Sequence, residues 1–415
     1  MALMARLRLL MFGQYFMFGA WSVTLGTYMS KALHFDGLIG LAYATQGLAA
    51  IASTLFVGVI ADRAFSAQRV LAVLLAISGA TLFWLASVKG DPALFLGVVT
   101  LHFLAFVPTI PLSNAVAFNA LADTAAQFPR IRVFGTVGWI AAGVLVGGIV
   151  GAAESALPML IAGAAGLVLA AYALTLPNAP PRGRGQPFSL AGALGLDVLG
   201  EVRETSFWVL IAASGLITVS LAFYYAYCND FLQEAGASVT ILGKRFEAMA
   251  LQSLGQVSEL FFLSMLPLFL KRLGIKGVMI MGMAGWIVRY ALFGLGFSGV
   301  GPTHTPVLVA AILLHGICYD FILVAASLYV DQVIAPAGRS RAQSFLTMLT
   351  MGAAILVGSS LANMVYRSAT LAPNLHDWRA IWAAPAVLSA VTLALFLAVF
   401  RTPPAITREA ANQAF

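Results

Sequence analysis

Charged side chains are scarce in this sequence. Only 9% of its 415 residues are charged and 61% are hydrophobic, with a mean hydropathy of +0.93. A soluble domain of ordinary composition is about one quarter charged and about half apolar. One soluble core cannot account for the apolar excess, which is instead typical of a polytopic membrane protein whose outer surface faces lipid.

Cysteine and acidic residues are also few. Cys228 and Cys318 both lie in long apolar runs, so we expect no disulfide. Lys and Arg number 23 against 16 Asp and Glu, which gives a net charge of +7. The basic residues lie mainly in short gaps between apolar runs, a pattern of membrane topology rather than of nucleic-acid binding. Because the sequence has neither a zinc-ligand spacing nor a basic arm, we expect no metal and no nucleic-acid partner.

Twelve apolar runs are long enough to cross a bilayer, which takes about 20 residues each. The predicted spans are 8–30, 38–61, 69–88, 93–120, 131–152, 155–177, 206–230, 244–270, 276–297, 305–331, 341–366 and 378–401. The longest interruption contains the breaker-rich stretch PNAPPRGRGQP. We predict an all-α membrane protein with an N-terminal six-helix bundle (1–177), a cytoplasmic linker (178–205) and a C-terminal six-helix bundle (206–415) that ends in a short cytoplasmic tail.

The distribution of Lys and Arg predicts the orientation in the membrane. If the N-terminus is cytoplasmic, 16 basic residues lie in cytoplasmic segments, six lie on the opposite side, and Arg289 lies inside the ninth span, which accounts for all 23. Because positive charge is retained on the cytoplasmic side, this bias favours two cytoplasmic termini. We expect a multi-pass protein of the bacterial cytoplasmic (inner) membrane.

The loop between the second and third spans supports a more specific architecture. It reads GVIADRAFSAQR, and it resembles the signature loop of the major facilitator transporters, whose plan is also six plus six spans. Such transporters bind substrate between two helical bundles near the membrane midplane. We expect Gly58, Asp62 and Arg63 to form a conformational latch, with an ordinary charged turn as the alternative. The corresponding loop of the second half, FLKRLGIKG, lacks the acid.

Two acidic residues lie deep in predicted spans, where an ionisable side chain costs at least ~2.5–3.5 kcal/mol. Gln256 and Glu259 lie on one face of span eight, and His315, Tyr319 and Asp320 lie together in span ten within HGICYDF. Each acid is 15 positions beyond its predicted span start, and the two spans run in the same direction. Desolvation and mutual repulsion both oppose ionisation, so we predict a pair of proton-coupling carboxyl groups.

Span five carries polar and aromatic residues on one face. Arg132, Thr136 and Trp139 in RIRVFGTVGWI are spaced i, i+4 and i+7, and Asn114 in span four can also line a cavity. Purely structural roles for these residues stay open as alternatives. Arg132 could be a positive-inside anchor, Trp139 a packing aromatic and Asn114 a helix–helix contact, and either deep acid could be the ion-pair partner of Arg289.

Several of these stretches resemble one family. FPRIRVFGTVGWI (128–140), GQVSELFFLSMLPLFLKRLGIKGVM (255–279) and HGICYDF (315–321) are similar to the bacterial nucleoside:proton symporters of the major facilitator superfamily. The resemblance extends from about residue 7 to about residue 401. It is nearest to a branch of that family whose members are known as nucleoside transporters only by inference.

The resemblance implies roles for individual residues. The implied substrate-binding residues are Arg132, Thr136, Trp139, Gln256 and Tyr319, and the implied proton-coupling residues are Glu259 and Asp320. Three positions depart from the best-known members. His315 stands where they have a tyrosine, and Ala222 and Tyr225 stand where they have a glutamine and an asparagine that bind the base. We expect Tyr225, His315 and Asn114 to contact the substrate as well.

These expectations combine into one predicted activity. We predict a proton-coupled symporter that imports nucleosides by alternating access, as a monomer among membrane lipids. It would bind a small-molecule substrate and use protons as the coupling ion, with no cofactor. An enzyme is not expected, because we find no nucleophile–base pair or metal constellation. The alternatives are an importer of another hydroxylated metabolite, such as a sugar or glycoside, and a membrane sensor that binds its ligand without moving it.

Overall fold

The computed structural model describes residues 3–56, 65–123, 127–180, 189–196, 200, 202, 204–241, 243–297, 304–334 and 338–401. Within these ranges the chain is mainly helical. The principal α-helices are α1 Leu3–Ser22, α2 Ile39–Phe56, α3 Ala67–Ser87, α4 Pro92–Phe106, α5 Thr109–Ala120, α6 Pro129–Gly143, α7 Leu157–Ala173, α8 Thr205–Glu234, α9 Ala248–Gly296, α10 Thr305–Leu313, α11 His315–Tyr319, α12 Ala325–Val333, α13 Arg339–Thr347, α14 Ile355–Ser368 and α15 Trp378–Val399.

Smaller elements interrupt or connect these helices. Single-turn helices lie at Leu25–Thr27, Asp36–Leu38 and Leu190–Ala193, and π-helical segments lie at Tyr28–Ala32, Val144–Val150, Asp320–Val324 and Met348–Ala354. Two antiparallel hairpins, which the sequence analysis did not predict, pair β1 Val239–Ile241 with β2 Lys244–Phe246 and β3 Thr370–Ala372 with β4 Leu375–His376.

The chain divides into two compact units. The first comprises Met1–Ser189 and Ser238–Ser253, and the second comprises Leu190–Ala237 and Leu254–Phe415. The bundle boundaries proposed from the sequence, at 177 and 206, stay predictions.

Small residues set the helix packing inside each unit. In the first unit, α1 packs on α6 so closely that a side-chain carbon at Gly138 would collide with the carbonyl of Phe12. In the second unit, α14 packs on α8, and a side-chain carbon at Gly358 would lie 2.7 Å from the carbonyl oxygen of Val219. Such close approach through glycine is the usual way for helices to associate in a membrane.

Eight helices in the described ranges are long and apolar enough to cross a membrane, judged by length and composition, and Leu157–Ala173 is a shorter apolar helix. The segment α9 consists of two helices joined at Gly274, whose backbone angles are non-helical (φ 63°, ψ 176°), and the two helices correspond to the eighth and ninth predicted spans. Each of the twelve predicted spans overlaps a helix. The number twelve therefore stays a prediction with which the described helices are consistent.

The predicted start of span eight, at residue 244, lies four residues before the observed start of the helix, within the boundary precision of about 4 residues. The chain forms the hairpin β1–β2 there, with Gly243 at a positive φ of 76°, and α9 begins only at Ala248. β-Branched residues in Val239–Ile241 favour a strand, and a glycine readily supplies the left-handed turn conformation. Glu259 is consequently 11 residues into its helix, at a rise of about 17 Å, rather than 15 residues.

Candidate substrate and proton sites

In the second unit, α9 and the α10–α11 segment meet at two glycines. A side-chain carbon at Gly316 would lie 2.5 Å from the carbonyl oxygen of Ser258, and one at Gly255 would lie 3.2 Å from the Cβ atom of His315. Because no larger residue fits at Gly316, the two helix backbones touch there. This contact brings the polar residues of HGICYDF against those of span eight.

The backbone of span ten is irregular at the same level. The helix breaks at Leu314, and the hydroxyl of Ser258 donates to the carbonyl of Leu313 and accepts a hydrogen bond from the N–H of Gly316 (3.3 Å). The Nε1–H group of Trp286 donates to the carbonyl oxygen of Cys318 (2.9 Å), shortly before the π-helical turn that begins at Asp320. Side chains thus satisfy backbone groups at the irregular positions, as a membrane interior requires.

The two carboxyl groups have different environments. The side chain of Glu259 is 22% exposed, whereas Asp320 is only 1% exposed. One carboxylate oxygen of Asp320, Oδ2, is buried and has no hydrogen-bond partner among the residues that the structure describes. The two acids are near enough to interact electrostatically. One acid is therefore partly accessible, and the other is enclosed without being fixed by a partner at Oδ2.

Arg289, from the second half of α9, is a fully buried cation. Its guanidinium lies 3.8 Å from the centre of the Tyr224 ring and donates a hydrogen bond to Nδ1 of His315 (2.8 Å). No carboxylate within the described part of the chain pairs with Arg289. The alternative in which Glu259 or Asp320 serves as its ion-pair partner is therefore not what the structure shows.

His315 lies between this cation and the accessible acid. Its side chain is 3% exposed, and its Nε2 atom is 4.0 Å from Oε2 of Glu259. The rings of Tyr224 and Tyr319 flank the imidazole, with centroid distances of 5.4 Å and 5.7 Å. The predicted substrate contact of His315 stays a prediction, and the observed neighbours of its ring are protein groups.

Three predicted substrate residues of this unit are partly exposed: Tyr225, Gln256 and Tyr319. The side chains of Tyr225 and Tyr319 hydrogen-bond each other. The carbonyl oxygen Oε1 of Gln256 is buried and has no partner in the described ranges. Tyr224, by contrast, is only 4% exposed beneath Arg289, so Tyr225 is the accessible member of the tyrosine pair.

In the first unit, the α6 face holds the predicted residues Arg132, Thr136 and Trp139, all partly exposed. The guanidinium of Arg132 lies over the Tyr15 ring at 4.1 Å, and Trp139 makes an edge contact with Phe18 at 5.2 Å. Helix α1 thus supports the functional face of α6 with aromatic rings. A cation over an aromatic face gains up to about 2 kcal/mol when it is desolvated.

Asn114 lies on α5 and is partly exposed. Its Oδ1 atom is buried without a hydrogen-bond partner among the described residues, so this oxygen makes no helix–helix bond. A free amide oxygen of this kind is available to a ligand. The predicted latch residues Gly58, Asp62 and Arg63 lie outside the residues that the structure describes.

Sequence reasoning missed several residues of these sites. Tyr15 and Phe18 belong to an apolar first helix, where an aromatic gives no distinctive signal, and Ser258 is one of many serines in spans. Arg289 was visible as a basic residue deep inside a predicted span, but its histidine partner was not foreseen. Helical spacing around Arg289 in the sequence could not reveal that partner, because His315 lies on another helix.

The comparison with known families decides the identity. A family model described as "Nucleoside H+ symporter" matches residues 1–405, nearly the whole chain. The chain belongs to the nucleoside–proton symporter family. The resemblance noted in the sequence is thereby confirmed.

Individual relatives of this symporter agree. The protein YegT of Escherichia coli (strain K12) is 36% identical over 96% of this chain and 93% of its own length. The xanthosine permease of the same organism is 35% identical over 96% of this chain and 95% of its own. The crystal structure of the nucleoside transporter NupG superposes with a TM-score of 0.85 at 31% identity, over 97% of this chain and 100% of that one.

These likenesses confirm the predicted fold class and activity class of the symporter. It is an all-α membrane transporter of the major facilitator type and a multi-pass membrane protein. Its family couples nucleoside transport to protons.

Proposed function

We propose that this symporter imports nucleosides by alternating access and that Glu259 and Asp320 carry the coupling protons. The observation that carries the proposal is the pairing of a partly exposed carboxyl group with an enclosed one in the same unit. Glu259 can exchange a proton with the surrounding water. Asp320 is enclosed, and its Oδ2 atom has no hydrogen-bond partner among the described residues, so a bound proton avoids the cost of a buried negative charge.

Protonation would lower the energetic cost of closing the substrate site. Desolvation and repulsion between the two carboxylates disfavour the doubly ionised state, and proton binding removes both penalties. Each proton that falls through the membrane potential yields ~2.3 kcal/mol per 100 mV. At about 1.4 kcal/mol per factor of ten, one proton supports roughly a 40-fold concentration ratio of substrate.

Each unit, taken by itself, carries groups that suit a nucleoside. Arg132 and Thr136 offer donors for ribose hydroxyls or for the carbonyl groups of a base, and Trp139 offers a ring face. In the second unit, Gln256 has an unpaired amide oxygen, and Tyr225 and Tyr319 are partly exposed aromatics with hydroxyl groups. A nucleoside matches this combination, because it carries a flat base and several hydroxyl groups. The names of the relatives, a xanthosine permease and a nucleoside permease, support the same substrate class.

The remaining parts of the proposal concern setting and topology. We place the symporter in the bacterial inner membrane as a monomer, with both termini in the cytoplasm, with protons as its coupling ion and with no cofactor or enzymatic activity. The loop residues Gly58, Asp62 and Arg63 would act as the latch that stabilises one conformation. Labelling of single cysteines at residues 2 and 410 with a membrane-impermeant reagent in intact cells would test the termini, and modification from outside would contradict this topology.

The central test is uptake into proteoliposomes. Radiolabelled nucleosides and sugars are supplied with and without an inward proton gradient, to the wild type and to Asp320→Asn. We expect gradient-driven accumulation of nucleosides by the wild type and its loss in the variant, because an amide cannot bind and release a proton. Asp331→Asn is the matched control, since Asp331 is exposed near the end of the same span.

Each other outcome has a definite meaning. Intact accumulation by Asp320→Asn would show that Asp320 is not a proton carrier. Accumulation of sugars but not nucleosides would overturn the substrate class. Saturable nucleoside binding without counterflow would identify a sensor rather than a transporter.

A further inference from the structure

Arg289 occupies an unusual position for a cation. It is completely buried, its charge faces the aromatic rings of Tyr224, Trp286 and Phe293, and within the described ranges it has no acidic partner. A cation buried in this way is costly, so a site that retains one usually gives it a function. Its guanidinium donates a hydrogen bond to Nδ1 of His315 and also hydrogen-bonds the side chains of Tyr224 and Cys318.

That hydrogen bond fixes the chemical form of the histidine. A guanidinium group has only donors and cannot accept a hydrogen bond. At 2.8 Å from Nη1 of Arg289, the Nδ1 atom of His315 must therefore offer its lone pair. The imidazolium ion and the Nδ1–H tautomer both carry a proton on Nδ1, so neither fits this contact. The remaining form is the neutral ring with its proton on Nε2.

The Nε2–H group then faces the accessible acid. Nε2 is 4.0 Å from Oε2 of Glu259, about one ångström longer than a hydrogen bond between a nitrogen and an oxygen. A small rotation of the exposed end of Glu259 closes this gap. The other titratable groups that contact the ring are Tyr224 from α8 and Tyr319 from its own span.

We propose that Arg289 and His315 are positioning residues for the proton-coupling step, with His315 as a permanently neutral donor to ionised Glu259. After Glu259 releases its proton, Nε2–H donates to the carboxylate, and the charge of Arg289 stabilises that carboxylate through the polarised imidazole. When Glu259 is protonated, this contact weakens. This inference rests on the proposed role of Glu259 and adds that the histidine neither gains nor loses a proton during the transport cycle.

Glutamine is the decisive substitution at residue 315. Its amide oxygen can accept from Arg289 while its NH₂ group donates to Glu259, yet it cannot titrate. Phenylalanine keeps a ring of similar size and can do neither. We expect His315→Phe to reduce proton-driven uptake by about tenfold or more, and His315→Gln to restore most of the loss. His304→Gln, at an exposed histidine just before α10, is the matched control.

A spectroscopic experiment tests the tautomer directly. The full-length protein is labelled with ¹⁵N-histidine, reconstituted in lipid and measured by solid-state NMR, and His315→Gln identifies the signals of His315 by subtraction. We expect the neutral Nε2–H form from about pH 5 to about pH 8, the range in which an ordinary histidine titrates. A protonated ring or the Nδ1–H tautomer in this range would overturn the proposal.

The two experiments separate the possible failures. If His315→Gln loses coupling as completely as His315→Phe, the histidine carries the proton itself and the positioning role is wrong. If Glu259→Gln retains proton-driven accumulation, the proposed function of Glu259 fails, whatever the tautomer. If the phenylalanine variant does not fold, the NMR measurement on the wild type and the uptake of the glutamine variant still decide the question.

Discussion

Replacing Gly316 with alanine should separate the two helices that carry Glu259 and His315. The new Cβ atom would lie 2.5 Å from the carbonyl oxygen of Ser258, about 0.9 Å short of the 3.4 Å at which ordinary contact begins. Overpacking of this kind costs about 1–3 kcal/mol. An equal separation would lengthen the 3.3 Å bond from Gly316 N–H to Ser258 beyond hydrogen-bonding distance, which adds about 0.5–1.5 kcal/mol.

The free energy of unfolding should therefore fall by about 1.5–4.5 kcal/mol in Gly316→Ala. It can be measured by SDS titration of the purified protein in mixed micelles, followed by circular dichroism. Gly294→Ala is the control, because Gly294 also lies in a helix of the second unit and a Cβ atom there meets nothing within 4 Å. That variant should be as stable as the wild type or slightly more so. Equal stability of the two variants would refute the tight helix contact.

Two further predictions concern other contacts. Arg132→Ala should weaken nucleoside binding about 10- to 100-fold, because it removes a charged hydrogen-bond donor, and isothermal titration calorimetry measures the affinity. Arg130→Ala, at an exposed position of the same helix, is the control and should bind as the wild type does. Equal affinities of the two variants would leave Arg132 as a topology anchor. Trp286→Phe should lower the free energy of unfolding by about 1–3 kcal/mol, because it leaves the buried Cys318 carbonyl without its side-chain donor. Trp84→Phe, at an exposed position, is the control. An unchanged free energy of unfolding in Trp286→Phe would contradict this account.

The membrane fold and the main polar residues could be predicted from the sequence because the bilayer makes them conspicuous. Apolar runs of fixed length predict helices, and rare ionisable residues in such runs, such as Glu259 and Asp320, stand out against a composition with few charges. Helical periodicity also placed Arg132, Thr136 and Trp139 on one face. These inferences depend on local spacing along a single helix, which a sequence contains directly.

Features that depend on contacts between helices could not be predicted in the same way. The support of Arg132 by Tyr15 joins residues far apart in the chain, and so does the hydrogen bond from Arg289 to His315. The hairpin β1–β2 was missed because β2 was assigned to the start of span eight and β1 to the loop before it. The break at Gly274 agrees with the predicted connection between spans eight and nine, since its apolar flanks and basic residues are visible in the sequence.

The π-helical turn at Asp320–Val324 has a consequence for insertions and deletions in this span. A π turn is an α turn with one additional residue, so the helix faces before and after it are offset by about 100° from a continuous α-helix. Deleting one residue from 321–324 would restore an α turn without moving either flank, whereas a deletion elsewhere in the span would rotate one flank away from its neighbours. The length of this transmembrane helix is therefore adjustable at the residue next to its buried acid.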